Sequence, residues 1–523
     1  MEQDAFLIQN LIDDKLNAEA SKRPKAKGAG ERKEEGQYQD SMGMRNEPAD
    51  RQTEIQLDDK GRRFQVWNVG MTRNAKPENR RPEIVYLDPI PHVIKDQNIP
   101  LRGWYKSKFE DAGVRARPCY TDALLTQPYG GTCPVGCGFC YINNGTRGYR
   151  GAGLVVVDPT YADKVRKQLS KMRTATAFYM SSFTDPFCPL EPIYENTRKT
   201  AEVALEAGLP MFFLTRQIAP DWAYDYLKQN KYSYMQFSIN TSNRDDWRRL
   251  SPMAPTLDTQ LDQVAEMHKQ GIYVSIQVNP ICAGVTSNED IVKLIYELAE
   301  KGADHLIFKF VEIVTPSRNA IVRNMRARFG GSKGEGGLDR GDLFDALFSE
   351  VIGGMYTIQE TYRKAALDIF SVHCKKAGVT MALCYEYEYR RDAEGNIIDK
   401  TGVSMGGRYL TADQCHGHRV PMFGRNGPDE PWQEIEGCPP SGCLTCSDTH
   451  GGEDNVPCDN PVLATANALK PSHLHIPAQS PAAKGYKIPK YKAPERLQGA
   501  LPIVEPGGGC GSGGCGEGGG GCD

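Results

Sequence analysis

The chain has 523 residues, of which 39% are hydrophobic and 25% charged, as expected of a soluble globular protein about two to three domains long. Lys and Arg (63) nearly balance Asp and Glu (66), which argues against a globally basic nucleic-acid binder but not against a local basic patch. No apolar run approaches the roughly 18 residues that span a bilayer, and acidic residues interrupt the N-terminal apolar stretch. We therefore expect a cytoplasmic protein without membrane segments.

The first 318 residues divide into three segments. Residues 1–64 are charged and poor in apolar side chains, which predicts poor order, and residues 65–117 form a lead-in segment. From 118 to 318, β-branched and aromatic runs alternate with amphipathic helical stretches. Six strands are predicted, at 123–127, 175–181, 210–215, 234–240, 272–279 and 305–311. This repetition favours a parallel sheet that curls into a partial (β/α)6 core barrel, with catalytic groups at the carboxyl ends of its strands.

The remainder of the chain is predicted to be less regular. Residues 319–410 form a helical extension at the side of the barrel, with a long helix at 357–376 and a strand at 379–386. Residues 411–470 are loop-rich and rich in cysteine. Residues 471–523 are dominated first by Pro and Lys and then by Gly and Cys, so we expect no packed core there.

Cysteine is the most informative residue type in this sequence. There are 16 cysteines, and a chain without an export signal is expected to keep them reduced. Clustered reduced thiols indicate metal or iron–sulfur ligands rather than disulfides. The clusters are Cys133, Cys137 and Cys140; then Cys438, Cys443, Cys446 and Cys458; and finally Cys510, Cys515 and Cys522.

The first cluster has the spacing C-x3-C-x2-C and lies in PYGGTCPVGCGFCY, directly after the first predicted strand. Three thiolates on a short glycine-rich loop bind three irons of a [4Fe–4S] cluster and leave the fourth iron open. An open position admits a substrate or cofactor, which distinguishes a catalytic from a structural metal site. The alternative is a zinc knuckle, but the strand context and Phe139 beside the last cysteine favour the cluster.

This motif, in its strand context, resembles the radical S-adenosylmethionine (SAM) superfamily. The resemblance implies that SAM binds the open iron and that reductive cleavage yields a 5′-deoxyadenosyl radical, which abstracts a substrate hydrogen. Over about residues 118 to 390 the sequence looks like the spore photoproduct lyase-like branch. The runs that carry this likeness are TQPYGGTCPVGCGFCY, FYMSSFTDPFCPLE, LTRQ, FSINT, RRLSPMAP and VNPICAG.

The resemblance also implies residues that bind SAM. Ser182, Thr184 and Asp185 would line the methionine end, whereas Arg216 and Ser238 would hold the SAM carboxylate, for which a guanidinium fork is suited. Strand-end polar residues would contact the ribose or the substrate, namely Asn240, Gln277 and Asn279. For each of them, a cap or turn at a strand end is the alternative interpretation.

The sequence departs from the branch at the hydrogen donor. Spore photoproduct lyase carries a cysteine at the end of the second strand, where this chain has Ser181 and Ser182. Cys188, a few residues later, is the candidate for a relocated catalytic donor, because a thiol S–H bond is weak. A buried inert cysteine is the alternative.

The second cysteine cluster, with C-x4-C-x2-C-x11-C spacing, predicts an auxiliary [4Fe–4S] cluster or a zinc site on Cys438, Cys443, Cys446 and Cys458, with Cys384 and Cys415 as spare ligands. Unligated thiols are the alternative interpretation. The Gly/Cys tail has three thiols on a tether and either carries metal or sulfur or has no fixed role.

The main hypothesis is a radical SAM enzyme that is spore photoproduct lyase-like, with the lyase or transferase class left open. Its implied partners are SAM and an electron donor such as flavodoxin or ferredoxin. The substrate is left open among nucleic acid, peptide and small molecule. The alternatives are an iron–sulfur or metal carrier with the Gly/Cys tail as its delivery arm, and a radical SAM peptide-modifying enzyme with an auxiliary cluster.

Overall fold

The computed structural model describes residues 49–434, apart from 52–53, 73–74, 98–100, 105–122, 146–147, 171, 173, 335–336, 413–414, 422 and 426–428. The strands, numbered along the chain, are β1 (Ala49–Arg51), β2 (Gln56–Leu57), β3 (Arg63–Gly70), β4 (Arg80–Tyr86), β5 (His92–Ile94), β6 (Leu101–Trp104), β7 (Ala123–Thr126), β8 (Tyr129–Gly131), β9 (Val155–Val157), β10 (Thr174–Ala175), β11 (Phe178–Met180), β12 (Met211–Thr215), β13 (Tyr234–Ser238), β14 (Val274–Ile281), β15 (His305–Phe310), β16 (Ile313–Val314), β17 (Phe348–Ile352), β18 (Met355–Ile358), β19 (Thr380–Leu383), β20 (Tyr387–Arg391), β21 (Ile397–Ser404), β22 (Phe423–Gly424) and β23 (Gln433–Glu434).

The α-helices are numbered in the same way. They are α1 (Gly148–Gly151), α2 (Tyr161–Leu169), α3 (Glu191–Tyr194), α4 (Asn196–Glu206), α5 (Asp221–Lys228), α6 (Arg244–Leu250), α7 (Leu257–Lys269), α8 (Asn288–Glu300), α9 (Arg318–Phe329), α10 (Arg340–Ala346), α11 (Glu360–Ala377) and α12 (Gly406–Tyr409). None of the helices in the described part of the chain is long and apolar enough to cross a membrane.

An eight-stranded sheet forms the centre, in the order β19-β15-β14-β13-β12-β11-β7-β6. Strands β7 to β19 of this sheet run parallel to their neighbours, and only the edge strand β6 is antiparallel. Each of the six predicted strands therefore has a counterpart in this sheet, although the second is shorter than predicted because Ala175 belongs to β10, which pairs with β22 in another sheet. The segment predicted as a strand at 379–386 adds β19 as a further parallel strand. The sheet has two edges in the described residues and no closed barrel is formed there, so the parallel α/β core is confirmed and its curvature into a partial (β/α)6 barrel stays a prediction.

The two faces of the central sheet differ in chemistry because alternate residues of a strand point to opposite sides. One face packs its aliphatic and aromatic side chains against the helices. The other stacks Tyr179, Phe212 and Tyr234, whose neighbouring ring centroids lie 4.5 and 4.6 Å apart. Towards the carboxyl ends this second face becomes polar, where Gln277 Nε2 donates to Gln236 Oε1 over 3.1 Å. Polar side chains thus lead into the carboxyl edge of the sheet.

A loop closes the opposite, amino-terminal end of the aromatic face. His416 Nδ1 lies 2.6 Å from the Tyr234 hydroxyl, and His305 Nε2 lies 3.0 Å from the carbonyl oxygen of Cys415. Gly417 has φ +77° and lies against the His305 ring, so a Cβ at this position would overlap it. Cys415 is buried in this loop.

A second sheet of seven mostly antiparallel strands, β1-β3-β4-β5-β9-β8 with β2 on β3, flanks the core. Strands β1 and β2 fall within the segment 1–64 that composition assigned to poor order, and both pair with β3. Their pairing, which local composition does not reveal, extends regular structure further towards the N-terminus than expected. The segment 319–410 contains the predicted long helix as α11, together with the hairpins β17–β18 and β20–β21.

Candidate active site

A cavity of about 700 Å³ opens at the carboxyl ends of the parallel strands. Its walls come from the cysteine loop after β8 and from the segments that follow β11, β12, β13, β14 and β15, which is where parallel sheets place their ligand sites. Residues that line it include Cys133, Cys137, Cys140, Ser182, Thr184, Asp185, Arg216, Ser238, Gln277, Asn279, Lys309, Glu312 and Tyr385. Most of the residues that the resemblance singled out are thus brought together in one place.

The cysteine loop, residues 132–145, folds as consecutive turns. The Cys140 backbone N–H donates to the Cys137 carbonyl oxygen over 3.2 Å. The Asn144 side-chain amide donates to the carbonyl oxygens of Gly138 and Cys140, over 3.1 and 2.8 Å. Because these carbonyls have a protein partner in place of water, the turns are fixed with all three thiols at the cavity wall.

Helix α9 forms the outer support of this loop. The Arg328 guanidinium donates to the Gly136 carbonyl oxygen over 3.1 Å, and Asn324 Nδ2 donates to Asn144 Oδ1 over 2.6 Å. A Cβ on Gly138 would lie only 2.7 Å from Arg328 Nε, so glycine allows the guanidinium to approach the loop. The order of the cysteine loop therefore depends on a helix nearly 200 residues later in the sequence.

The three thiols lie on the wall of one cavity, as a cluster that binds each thiolate at a separate iron requires. Burial raises the pKa of Cys133, with the charges of the other two thiols adding to the effect, and burial raises the pKa of Cys140 to about 11. Within the described residues no group of three or more Cys, His, Asp or Glu converges to hold one metal ion.

Arg216, directly after β12, is held by three partners from other elements. Its Nη1 donates to Asn240 Oδ1 and Ser251 Oγ over 3.3 and 3.2 Å, and its Nη2 donates to the Asn279 carbonyl oxygen over 2.9 Å. A guanidinium has five N–H donors. Three of them position the group, and two take no part in these three bonds.

The Arg216 guanidinium also lies beside the cysteine loop. Its Cζ is 5.3 Å from the ring centroids of both Phe139 and Trp247, which confine the planar group. Ser251 Oγ, which accepts from Arg216, lies 3.2 Å from Cys137 Sγ. This contact joins the cation to a candidate cluster ligand, so a carboxylate on Arg216 would lie near the cluster.

Two serines of the cavity differ in how their hydroxyls are satisfied. Ser182 Oγ is buried and has no hydrogen-bond partner, which is unusual for a polar atom. Such a hydroxyl is suited to form a hydrogen bond with a bound ligand. Ser238 Oγ donates to the Asn279 carbonyl oxygen over 3.0 Å. Asn240 is fully buried, and its Nδ2 donates to the Pro280 carbonyl oxygen over 2.8 Å, so Asn240 orients Arg216 from behind the cavity wall.

Asp185 and Thr184 line the cavity but already have protein partners. Asp185 accepts from the Thr215 hydroxyl over 2.8 Å and from the backbone N–H groups of Arg216 and Phe187 over 2.7 and 3.0 Å. Burial raises the pKa of Asp185 to about 6, although these hydrogen bonds oppose the shift. Thr184 Oγ1 donates to the Tyr129 carbonyl oxygen. Both residues therefore brace the loop after β11 against neighbouring strands.

Cys188 lies outside the cavity lining. It is fully buried and packs with Tyr129, Val155, Val157 and Leu190 beneath the flanking sheet. Burial also raises the pKa of its thiol well above the usual value. The structure thus matches the alternative interpretation of Cys188, a buried packing residue. The other predicted ligands, Cys438, Cys443, Cys446 and Cys458, lie outside the described residues.

Several residues of the site escaped the sequence analysis. Ser251 and Arg328 act through contacts formed by chain segments far from the cysteine motif. Lys309, Glu312 and Tyr385 line the cavity from β15 and from the loop after β19. Lys309 at the end of a predicted strand is the only local signal among them, because charged residues at the carboxyl ends of parallel strands often bind ligands.

Comparison with known proteins identifies relatives by sequence, although no family model matches. The radical SAM Nα-GlyT isomerase of Pseudomonas phage M6 is 45% identical over 415 residues, covering 78% of this chain and 84% of that protein. The uncharacterized protein ORF301 of Acidianus two-tailed virus is 27% identical over 190 residues, 33% of this chain and 62% of its own.

Two solved structures show more distant similarity. Spore photoproduct lyase complexed with dinucleoside spore photoproduct aligns 81% of its chain with 56% of this one, at 16% identity and a TM-score of 0.38. Streptococcus suis SuiB bound to S-adenosylmethionine aligns 48% of each chain, at 14% identity and a TM-score of 0.30. On the strength of the 45% identity that spans most of both sequences, this chain belongs to the radical SAM enzyme family of the phage M6 isomerase.

Proposed function

We propose that this radical SAM enzyme is an isomerase whose substrate is of the Nα-GlyT type, a glycine bonded through its α-nitrogen. The observation that carries the proposal is the 45% identity to the phage M6 isomerase over 84% of that protein. The three thiols of Cys133, Cys137 and Cys140 at one cavity, next to the guanidinium of Arg216, support it.

In this proposal the three cysteines ligate a [4Fe–4S] cluster and Arg216 holds the SAM carboxylate, with the unpartnered Ser182 hydroxyl and Ser238 as further contacts. When bound, the cluster and SAM supply a 5′-deoxyadenosyl radical that removes a hydrogen atom from the substrate. An electron donor such as flavodoxin or ferredoxin provides the electron. The protein's part is to fix the carboxylate, to orient the substrate and to exclude water.

Isomerisation constrains what happens to that hydrogen atom. Substrate and product have the same atoms, so the hydrogen moved to the 5′-carbon of deoxyadenosine must be replaced on the rearranged substrate. In the simplest balance the same methyl group returns a hydrogen atom, and the enzyme needs no separate donor. The position of Cys188 outside the cavity agrees with a reaction in which no cysteine donor is required. It disfavours a lesion-cleaving lyase that depends on such a donor.

Anaerobic turnover with Nα-GlyT and SAM tests the proposal. We expect a product of unchanged mass, together with deuterium exchange between a labelled substrate and 5′-deoxyadenosine or SAM. Cys137→Ala, which removes one thiol at the cavity, is the matched inactive control. If the reconstituted enzyme cleaves SAM but leaves Nα-GlyT unchanged, the isomerase proposal is wrong, although membership of the family is unaffected.

For the second cysteine cluster we keep the proposal of an auxiliary [4Fe–4S] or zinc site on Cys438, Cys443, Cys446 and Cys458. Metal analysis distinguishes the two. An auxiliary cluster would give about eight irons per chain. A zinc site would leave about four irons with one zinc. Replacement of Cys443 and Cys446 by alanine should remove only the four additional irons or the zinc and leave the first cluster in place.

A further inference from the structure

The cavity has a second half that the proposed SAM contacts leave unused. The cysteine loop and the ends of β11, β12 and β13 form one half, whereas the other comes from the end of β15, the hairpin β17–β18 and the loop after β19. Strand β15 lies near the opposite end of the sheet from β7, which precedes β8 and the cysteine loop, so this second half lies away from the loop along the sheet. It is the natural position for a substrate.

A lysine and a glutamate form an ion pair in this second half. Lys309 and Glu312 both line the cavity, with Lys309 Nζ 3.0 Å from Glu312 Oε2. Their side chains are only 17% and 7% exposed, so both charges are largely removed from bulk water. Phe308 and Phe310 pack into the core, so the strand alternation directs Lys309 to the cavity side.

Tyr385 holds this ammonium from a strained backbone position. The Lys309 Nζ lies 4.5 Å from the centroid of the Tyr385 ring, a cation–π distance. Tyr385 has φ +58°, a left-handed conformation that a bulky residue rarely adopts and that occurs preferentially at ligand sites. The backbone is thus held in a costly conformation with the ring beside the ion pair.

The other charged side chains that line the cavity, Asp185 and Arg216, already have protein partners. Asp185 accepts three hydrogen bonds from the protein, and Arg216 donates three and lies beside the cysteine loop. An ammonium has three N–H donors, and in the described residues that of Lys309 has one hydrogen-bond partner, Glu312. Lys309 therefore keeps donors for a ligand in a cavity that restricts water.

We propose that the Lys309–Glu312 pair binds the amino-acid end of the substrate, with the substrate carboxylate on Lys309 and its α-amine on Glu312. A glycine substituted on its nitrogen is a zwitterion, and a lysine and a glutamate 3.0 Å apart present the complementary charges. The inference rests on the proposed function and deepens it, since it names the chemical group by which this site selects its substrate.

Binding to the cluster-loaded, SAM-bound enzyme, measured anaerobically by calorimetry, tests the pair with three probes. The probes are Nα-GlyT, its carboxamide and its N-acetyl derivative. We expect the wild type to prefer Nα-GlyT to both derivatives. Lys309→Gln should weaken Nα-GlyT binding by about 10- to 100-fold, as for loss of a charged hydrogen bond, and should abolish the preference over the carboxamide. Glu312→Gln should abolish the preference over the N-acetyl derivative.

Two further variants separate charge recognition from general damage. Lys301→Gln removes a lysine that pairs with Asp262 over 2.8 Å on the protein surface, and it should leave all three affinities unchanged. Lys309→Arg keeps the positive charge and should recover part of the preference for the carboxylate. If Lys309→Gln does not fold, the comparison of the acid and carboxamide probes on the wild type still decides whether the carboxylate is recognised.

The outcomes distinguish this inference from the proposed function. If the wild type binds Nα-GlyT with the expected dependence on Lys309 but does not isomerise it, the proposed function fails and the binding site stands. If it isomerises Nα-GlyT while Lys309→Gln weakens the acid and the carboxamide equally, the inference is overturned. A wild type that binds none of the probes overturns both.

Discussion

Gly138 lies between Cys137 and Cys140, and replacing it with alanine tests whether α9 supports the cysteine loop. A Cβ there would lie 2.7 Å from Nε and 2.9 Å from Cδ of Arg328, so the guanidinium has to move. Because the clashing group is the end of a flexible side chain, the steric cost is small. The main cost is the hydrogen bond from Arg328 to Gly136, 3.1 Å long in the wild type, and a second bond to the Arg249 carbonyl oxygen.

The expected loss follows from those two bonds. A hydrogen bond from a charged donor is worth about 1.5–3 kcal/mol, but water replaces part of that value at the half-exposed Arg328, so we expect about 2 kcal/mol for both. If the loss falls on the loop in its cluster-binding form, cluster affinity decreases by about 30-fold. Iron loss to a chelator, followed by cluster absorbance under anaerobic conditions, measures this change.

A double-mutant cycle makes the reasoning refutable. In an Arg328→Gln background the obstructing guanidinium is absent, so Gly138→Ala should then cost close to nothing, with a coupling energy of about 2 kcal/mol. Gly130→Ala is the matched control, because its nearest neighbour would be 3.4 Å away, an ordinary contact. Equal costs of Gly138→Ala in both backgrounds would show that Arg328 does not mediate the effect.

Three further predictions concern the site and the fold. Arg216→Lys should weaken SAM binding by about tenfold or more, because an ammonium cannot keep three fixed partners and also donate two parallel hydrogen bonds to a carboxylate. Equilibrium dialysis with SAM measures this affinity. An unchanged affinity would contradict the proposal that Arg216 holds the SAM carboxylate. Burial lowers the pKa of His305 to about 4, so its folded form stays neutral and binds fewer protons than the unfolded chain below pH 6.5. The free energy of unfolding is therefore unaffected by protonation of His305 above about pH 6.5 and decreases as the pH falls towards 4, by about 2 kcal/mol between pH 7.5 and 5. In urea unfolding, His305→Gln should lose that part of the pH dependence. The same decrease of unfolding free energy at low pH in both proteins would refute this prediction. Cys188→Ala should retain SAM cleavage and isomerisation while lowering the unfolding midpoint; loss of turnover in a stably folded variant would restore Cys188 as a hydrogen donor.

The cysteine predictions succeeded where the site depends on one short segment and failed where it depends on how that segment turns in the fold. The C-x3-C-x2-C motif needs only eight residues, and the loop that carries it brings all three thiols to one cavity. Cys188 is close to the motif's partners in sequence, yet the turn after β11 directs it into a different apolar cluster. Proximity along the chain therefore predicted the shared position of the three motif thiols but not the position of Cys188.

Arg216 shows the same division. Its position after the third core strand was enough to place it at the carboxyl edge of the sheet, because parallel strands end at one edge. The partners of its guanidinium could not be predicted from that position, because Asn240, Ser251 and Asn279 come from three other segments. The same holds for the contact between Arg328 and Gly136, which are 192 residues apart.

By itself, the sequence predicted the three-thiol loop and the parallel strands, because ligand spacing and hydrophobic alternation are properties of short segments, and the radical SAM chemistry followed only from the resemblance that the motif carries. Only the tertiary structure decided that α9 braces the cysteine loop and that Lys309 and Glu312 form an ion pair in the wall of the same cavity. These features depend on contacts between distant segments, whose geometry is fixed by packing of the whole core rather than by any local pattern.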